Sequence, residues 1–353
     1  MIRVGVVGYG LAGKVFHAPL ITAVEGLELA AIVERSSRHA EAAYPGIKTY
    51  PSIEAMLGDT TLELIVVATP DNLHVAHAHQ ALEAGRHVIV DKPVAGTPRE
   101  VAALMTSARK VGRMLIPFHN RRWDSDFRTL QKLLHEEKLG RVVYLESTFD
   151  RWRPHPRLEK WQEDGSTPGG VLTNLGTHLT DQALTLFGLP EAVGAEVGIE
   201  RDGGAALDFF TLRLFYPRRI VTLSSNYLAA QPRPRYTVRG TQGSFVKWGL
   251  DPQEARLKET GRVIEPNWGV EPTSAWGTLT VDVESGTVTC PVQSVPGDYR
   301  LYYAAVRDAI LGISAPPVKA IDAWHVAQLL EWAIESSALR SAVPCDWNHQ
   351  PAS

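Results

Sequence analysis

Three side chains in this sequence have types and spacing suited to moving a proton on and off an oxygen atom: Lys92, Asn174 and His178. Lys92 sits in Asp91-Lys92-Pro93, directly after an apolar run. A lysine in a cleft at a strand end loses solvation, which lowers its pKa and suits it to proton traffic with an alcohol oxygen. Asn174 and His178 are four residues apart, so a helix through them puts both on one face, where they can address one ligand. Imidazole titrates close to neutrality, which makes His178 the natural proton shuttle of the set.

A second pattern offers an anion site. The apolar run Ile2 to Val7 leads into Gly8-Tyr9-Gly10-Leu11-Ala12-Gly13. In such a strand-turn-helix, Gly8 permits the tight turn, Gly10 lets the backbone approach a pyrophosphate, and Gly13 lets the helix sit close on the strand. The helix N-terminus adds free N–H groups and a positive dipole end. Residues 8–13 are therefore predicted to cradle a dinucleotide. Pro19, inside the expected first helix, should kink or shorten it. Glu34, 21 residues after Gly13, is placed to accept hydrogen bonds from an adenosine ribose, which points to NAD. Arg35, Ser36 and Arg38 could instead hold the 2′-phosphate of NADP. The set points both ways and leans to NAD.

Dinucleotide domains bind at the carboxyl ends of their strands, so Thr69, Pro70, Asn72 and His74 after the next buried run, with Lys92 and Asn120, complete the expected cofactor contacts. The spacing of His74, His77 and His79 invites a metal reading. His77 and His79, however, lie two apart on a probable helix and face different ways, so no metal is expected.

These groups need a scaffold. Residues 27–34, 61–69, 87–91 and 114–118 read as buried strands alternating with helices, the signature of a parallel sheet covered on both faces. This gives an N-terminal Rossmann domain over residues 1–120. Beyond it, residues 141–151, 193–200, 207–216, 220–228, 236–239 and 244–248 place β-formers at close spacing, as in a mostly antiparallel open sheet. Helical patterns at 179–187 and 320–339 would cover one face, making residues 121–353 an α+β domain for substrate and self-association. The uncovered face would join a homodimer or homotetramer. The overall class is α/β.

With 353 residues, 44% hydrophobic and 21% charged, the composition is that of a globular protein of two domains. A formal net charge of -3 gives no basic footprint for nucleic acid. No run of 18 apolar residues suggests a membrane span. Two cysteines and no secretory pattern suit the cytoplasm.

The chain resembles the Gfo/Idh/MocA family of NAD(P)-dependent sugar and polyol dehydrogenases along nearly its whole length. The glycine motif with Val15-Phe16-His17, the blocks 119–127 and 149–154, Arg235-Tyr236 and residues 249–254 resemble the branch containing scyllo-inositol dehydrogenases. The resemblance implies that Lys92 and His178 are catalytic, with Asn174 orienting the substrate. It also implies hydride transfer between a nicotinamide and a secondary alcohol of a cyclic polyol or sugar. Arg121, Asp124, Arg153, Arg235 and Tyr236 are the candidate hydroxyl-binding residues. Asn174 departs from the family pattern, which has Asp there. Two other readings remain: an NAD-dependent glycosidase on the same scaffold, and a non-catalytic dinucleotide sensor.

Overall fold

The fold comes from a computed structural model that describes residues 1–35, 39–160, 162–165, 170–263, 268–284 and 286–352. Ser36 and Arg38 lie outside the described residues. The first sheet contains β1 (Ile2–Val7), β2 (Leu27–Val33), β3 (Lys48–Tyr50), β4 (Leu64–Val67), β5 (His87–Val90) and β6 (Leu115–Pro117). Their spatial order is β3-β2-β1-β4-β5-β6, and every pair is parallel. The sequence dictates this: β4 and most of β1 and β5 are runs of fully buried Val, Ile and Leu, which only a sheet covered on both faces accommodates. The strand order reverses between β1 and β4, and the crevice outside their carboxyl ends is where such sheets bind ligand.

The first helix departs from expectation. Residues Gly13–His17 form a π turn, and an α segment, Ala18–Thr22, follows. Pro19 occupies the first turn of that segment, where its missing N–H costs no hydrogen bond. The wide turn upstream absorbs the irregularity, with the Ala18 N–H donating to Gly13 O.

The second sheet contains β7 (Val142–Thr148), β8 (Ala192–Gly198), β9 (Phe209–Tyr216), β10 (Arg219–Asn226), β11 (Tyr236–Gly240), β12 (Gly243–Lys247), β13 (Gly277–Val283), β14 (Gly286–Val292) and β15 (Val343–Pro344). Their order is β14-β13-β12-β11-β7-β10-β9-β8-β15, antiparallel except where β7 meets β10. Leu179 and Ala183 of helix Thr177–Phe187, and Leu329 and Ala333 of helix Ala320–Leu339, share one core with Leu145, Leu212 and Leu223 of this sheet.

The two sheets divide the chain between Pro117 and Val142, but the cores do not. Tyr299, Tyr302 and Tyr303, at the start of helix Arg300–Ile310, are fully buried in the cluster that holds Val4, Leu64 and Phe118. Tyr302 donates to Pro117 O at 3.0 Å, and the Tyr303 hydroxyl lies 2.7 Å from His17 Nδ1. Each buried ring removes roughly 150–250 Å² from water. The C-terminal half is thus fastened to the first sheet at β6 and at the π turn that follows β1.

Candidate active site

The glycine motif builds a cradle with three distinct roles. Gly8 has φ +100°, and a Cβ there would sit 2.7 Å from Ala68 O, so both conformation and space require glycine. A Cβ on Gly13 would run into Gly8 O and lie 3.6 Å from Val6 of β1, so the chain can pass this close to the turn and strand only as glycine. Gly10 differs: a Cβ there meets nothing within 4 Å, because it faces the open cleft. That is the geometry a pyrophosphate-facing glycine needs, and the residues present fit a dinucleotide. A cleft of about 440 Å³ runs from this turn past Glu34 and Arg35 to Thr69 and Pro70. Glu34 Oε2 accepts from the Ala40 N–H at 3.0 Å, which fixes the carboxylate at the end of β2. Burial, then the Glu34 charge, raises the Tyr9 pKa. Leu11 is exposed, and Ala12 half-buried, at the rim.

The loops after β4 and β5 are tied together. His74 is buried, with Nδ1 2.7 Å from Pro93 O and Nε2 2.8 Å from Thr69 O. His77 also meets Thr69, at its Oγ1, while His79 meets Ser107 Oγ. Among the described residues no group of three or more His, Cys, Asp or Glu could hold a metal ion. Asn72 is exposed and Asn120 is buried.

Lys92, Asn174 and His178 come together. Lys92 Nζ donates to Asn174 Oδ1 at 2.8 Å and to Asn174 O at 2.9 Å, and an ammonium has a third N–H to offer. Asn174 lies on a second π turn, Leu172–Gly176, which leads into helix Thr177–Phe187. Such turns interrupt the regular ladder, and here the Asn174 carbonyl serves the lysine. Burial pushes the Lys92 ammonium down; Asp91 and Asp71 oppose this, and Arg121 and Arg151 add to it. His178 is buried, and its Nδ1 has no partner. Burial, then the charges of Lys92 and Arg121, holds His178 well below the ordinary imidazole range, so it is neutral near pH 7 and able to accept a proton.

The five candidate hydroxyl-binding residues have other engagements. Arg121 donates to Asp124 Oδ2 at 3.1 Å and to Glu254 Oε2 at 2.5 Å, and Asp124 also accepts from the Tyr299 hydroxyl at 2.6 Å. Arg235 donates to Asp126, Ser147, Thr148 O and Gln182, and Tyr236 donates to Gln182 Oε1 at 2.8 Å. All four are buried, while Arg153 is half-buried, with Glu163 3.9 Å away. Arg121, Arg235 and Tyr236 hold the helix that carries His178, because Gln182 is one turn beyond it and also donates to Arg121 O.

Four residues near the cluster were outside the expected site. Asp91 accepts from the Lys92 N–H at 2.8 Å. His119, buried with both ring nitrogens unpartnered, has Nε2 3.9 Å from Asp181, which is itself gripped by Arg122 through two hydrogen bonds. Arg151 follows the end of β7. The spacing of Phe149, Arg151 and Arg153 after a strand was the available signal for Arg151; nothing in the sequence marked His119 or Asp181 as neighbours.

Residues 2–119 match a family model described as an oxidoreductase family NAD-binding Rossmann fold (Gfo/Idh/MocA). Residues 131–344 match the C-terminal alpha/beta domain of the same family. The chain is 44% identical to the uncharacterized oxidoreductase YdgJ of Escherichia coli (strain K12) over 97% of this chain and 98% of that protein. It is 34% identical to scyllo-inositol 2-dehydrogenase (NADP(+)) IolW of Bacillus subtilis (strain 168), over 95% and 94% respectively. The solved structure of YPO2259 from Yersinia pestis superposes with a TM-score of 0.92 at 44% identity, covering 98% of this chain and 97% of that one.

Proposed function

The chain belongs to the Gfo/Idh/MocA family of NAD(P)-binding oxidoreductases, and from that premise we propose that it oxidises, reversibly, a secondary alcohol of a cyclic polyol or sugar. The observation that carries this reading is the Lys92–Asn174 contact at the carboxyl end of β5, with a buried His178 on the helix that follows Asn174. A nicotinamide bound in the cradle would supply the hydride acceptor. His178 takes the hydroxyl proton, and the remaining Lys92 N–H steadies the alcohol oxygen as negative charge grows on it. Asn174 orients Lys92 through both of its oxygens. The sequence similarity to a scyllo-inositol dehydrogenase supports the choice of substrate class. Purified protein screened against inositol isomers and aldoses with NAD and NADP tests it; the reading expects at least one alcohol to reduce a nicotinamide.

NAD is the proposed cofactor, because a carboxylate at Glu34 accepts from ribose hydroxyls and repels a 2′-phosphate. Glu34→Ser is expected to shift the kcat/KM ratio towards NADP by about tenfold or more. An unchanged ratio would remove Glu34 from the adenosine site. The protein is proposed to act in the cytoplasm as a homodimer or homotetramer through the open face of the second sheet, with no nucleic-acid partner.

Asn174→Asp would set a carboxylate against Lys92 and one turn from His178. Both pKa values should rise, because a nearby negative charge favours the protonated forms. His178 then loses its proton only at higher pH. The acidic limb of the pH profile for alcohol oxidation should therefore move upward, with cofactor affinity little changed. An active variant with an unshifted limb would place Asn174 outside the catalytic cluster.

A further inference from the structure

Three guanidinium groups surround one buried phenyl ring just past the end of β7. The Cζ atoms of Arg121, Arg151 and Arg235 lie 5.0, 5.2 and 5.6 Å from the centre of the Phe149 ring. Two of the three are neutralised. Arg121 is paired with Asp124 and Glu254, and Arg235 with Asp126. Arg151 has no hydrogen-bond acceptor and no ion-pair partner for its guanidinium among the described residues; only its backbone is fixed, the N–H donating to Asn226 O at 3.0 Å.

The acids beside Arg121 and Arg153 are taken. Glu254, whose charge also favours the Arg151 cation, is held by Arg121 at one oxygen and by Lys258 at the other, both at 2.5 Å, and these cations keep its carboxyl at about 2 against the cost of burial. Glu163, beside the neighbouring Arg153, accepts from both Arg157 and Arg201. Burial, then the Arg153 charge, works against the Arg151 cation. The Phe149 ring that Arg151 shares with Arg121 and Arg235 ties it to the helix that carries His178, because Gln182 on that helix bonds both of those arginines. Arg151 is half-buried, and its nitrogens, bonded to no acceptor among the described residues, are open to an incoming anion. A ring carrying only neutral hydroxyls would leave that charge unmatched.

We infer that the substrate is an acidic polyhydroxy compound, a sugar or polyol bearing a carboxylate or a phosphate, whose anionic group is held by Arg151 while its reacting hydroxyl faces Lys92 and His178. This rests on the dehydrogenase reading for the position of the hydroxyl, but not for the anion contact. A planar fork of N–H donors suits either group, with two parallel bonds to a carboxylate or to two phosphate oxygens.

The test pairs ligands with and without the anionic group. D-glucuronate and D-glucuronamide form one pair, and D-glucose 6-phosphate and D-glucose the other. Their affinities for the dinucleotide-loaded protein are measured by calorimetry, and their turnover by nicotinamide reduction. In the unsubstituted protein at least one anion should bind roughly tenfold to a hundredfold more tightly than its neutral partner. The pair that responds distinguishes carboxylate from phosphate. R151Q should cut that advantage to about twofold, and R151K, which keeps the charge but loses the fork, should retain part of it. Dinucleotide binding checks that each variant is folded. Equal affinity within both pairs, or an advantage that survives R151Q, overturns the inference. Neutral alcohols turned over with no anion advantage would sink this inference alone, whereas anion binding through Arg151 with no turnover on any alcohol would support it and sink the dehydrogenase reading.

Discussion

Lys92→Ala is expected to lower kcat by about a hundredfold or more while dinucleotide affinity stays close to that of the unsubstituted protein. The ammonium spends two of its N–H donors on Asn174 and keeps one for the reacting oxygen, and no part of the cradle at residues 8–13 depends on it. Truncation removes a charge that burial already disfavours, so the fold should tolerate it. Lys92→Met, which keeps the apolar stem, separates the loss of the charge from the loss of packing. Calorimetric titration with NAD beside steady-state rates reads both halves. A variant keeping more than about a tenth of the rate would remove Lys92 from the chemistry.

Gly10→Val is expected to abolish dinucleotide binding and leave the fold alone. The three glycines of the motif are not equivalent. Substituting Gly8 or Gly13 drives a side chain into backbone, at Ala68 O or Gly8 O, so loss of binding there would say little about the ligand. At Gly10 the space is empty. A branched side chain there meets only what enters the cleft, and a pyrophosphate needs that space. The unliganded melting temperature should stay within about 2 °C. The stabilisation that saturating NAD gives the unsubstituted protein should vanish. Near-normal affinity in a folded Gly10→Val protein would refute the cradle.

The parts of this molecule that could be read in advance are those set by local chemistry. β1 and its glycine turn announce themselves because a buried parallel strand must be continuously apolar and the turn must lack Cβ atoms. Asn174 and His178 were paired by spacing alone, and the π turn that carries Asn174, ahead of the helix that carries His178, could not be read from that spacing. β3, a three-residue edge strand that begins with an exposed lysine, and β15, of two residues, are too short to leave a period. β13 does alternate apolar Leu279, Val281 and Val283 with polar residues, a period-two signal that went unread, whereas β14 is mostly exposed and contains Pro291, which weakens its signal. The return of Tyr299, Tyr302 and Tyr303 to the first domain was invisible for another reason. An apolar stripe states that a helix is covered, not by what.

Polar residues were the hardest to place. Arg121, Asp124 and Arg235 look in sequence like a sugar-binding set, yet each is engaged by partners inside the protein, though Arg121 Nε has none, and some of those partners are more than a hundred residues away, as with Arg121 and Glu254 or Arg235 and Asp126. Sequence spacing carries no information about such pairs. Arg151, which has none, stands out only once its neighbours are known to be neutralised.

The central claim is that net hydride leaves an alcohol carbon for a nicotinamide under the control of Lys92 and His178. Its most direct test is stoichiometry: the amount of nicotinamide reduced against the amount of ketone formed, on the best alcohol of the screening panel. The account predicts one reduced nicotinamide for each ketone, with both absent in Lys92→Ala. Cleavage of a glycosidic bond with no net nicotinamide reduction, or tight dinucleotide binding with no product from any alcohol, would contradict it.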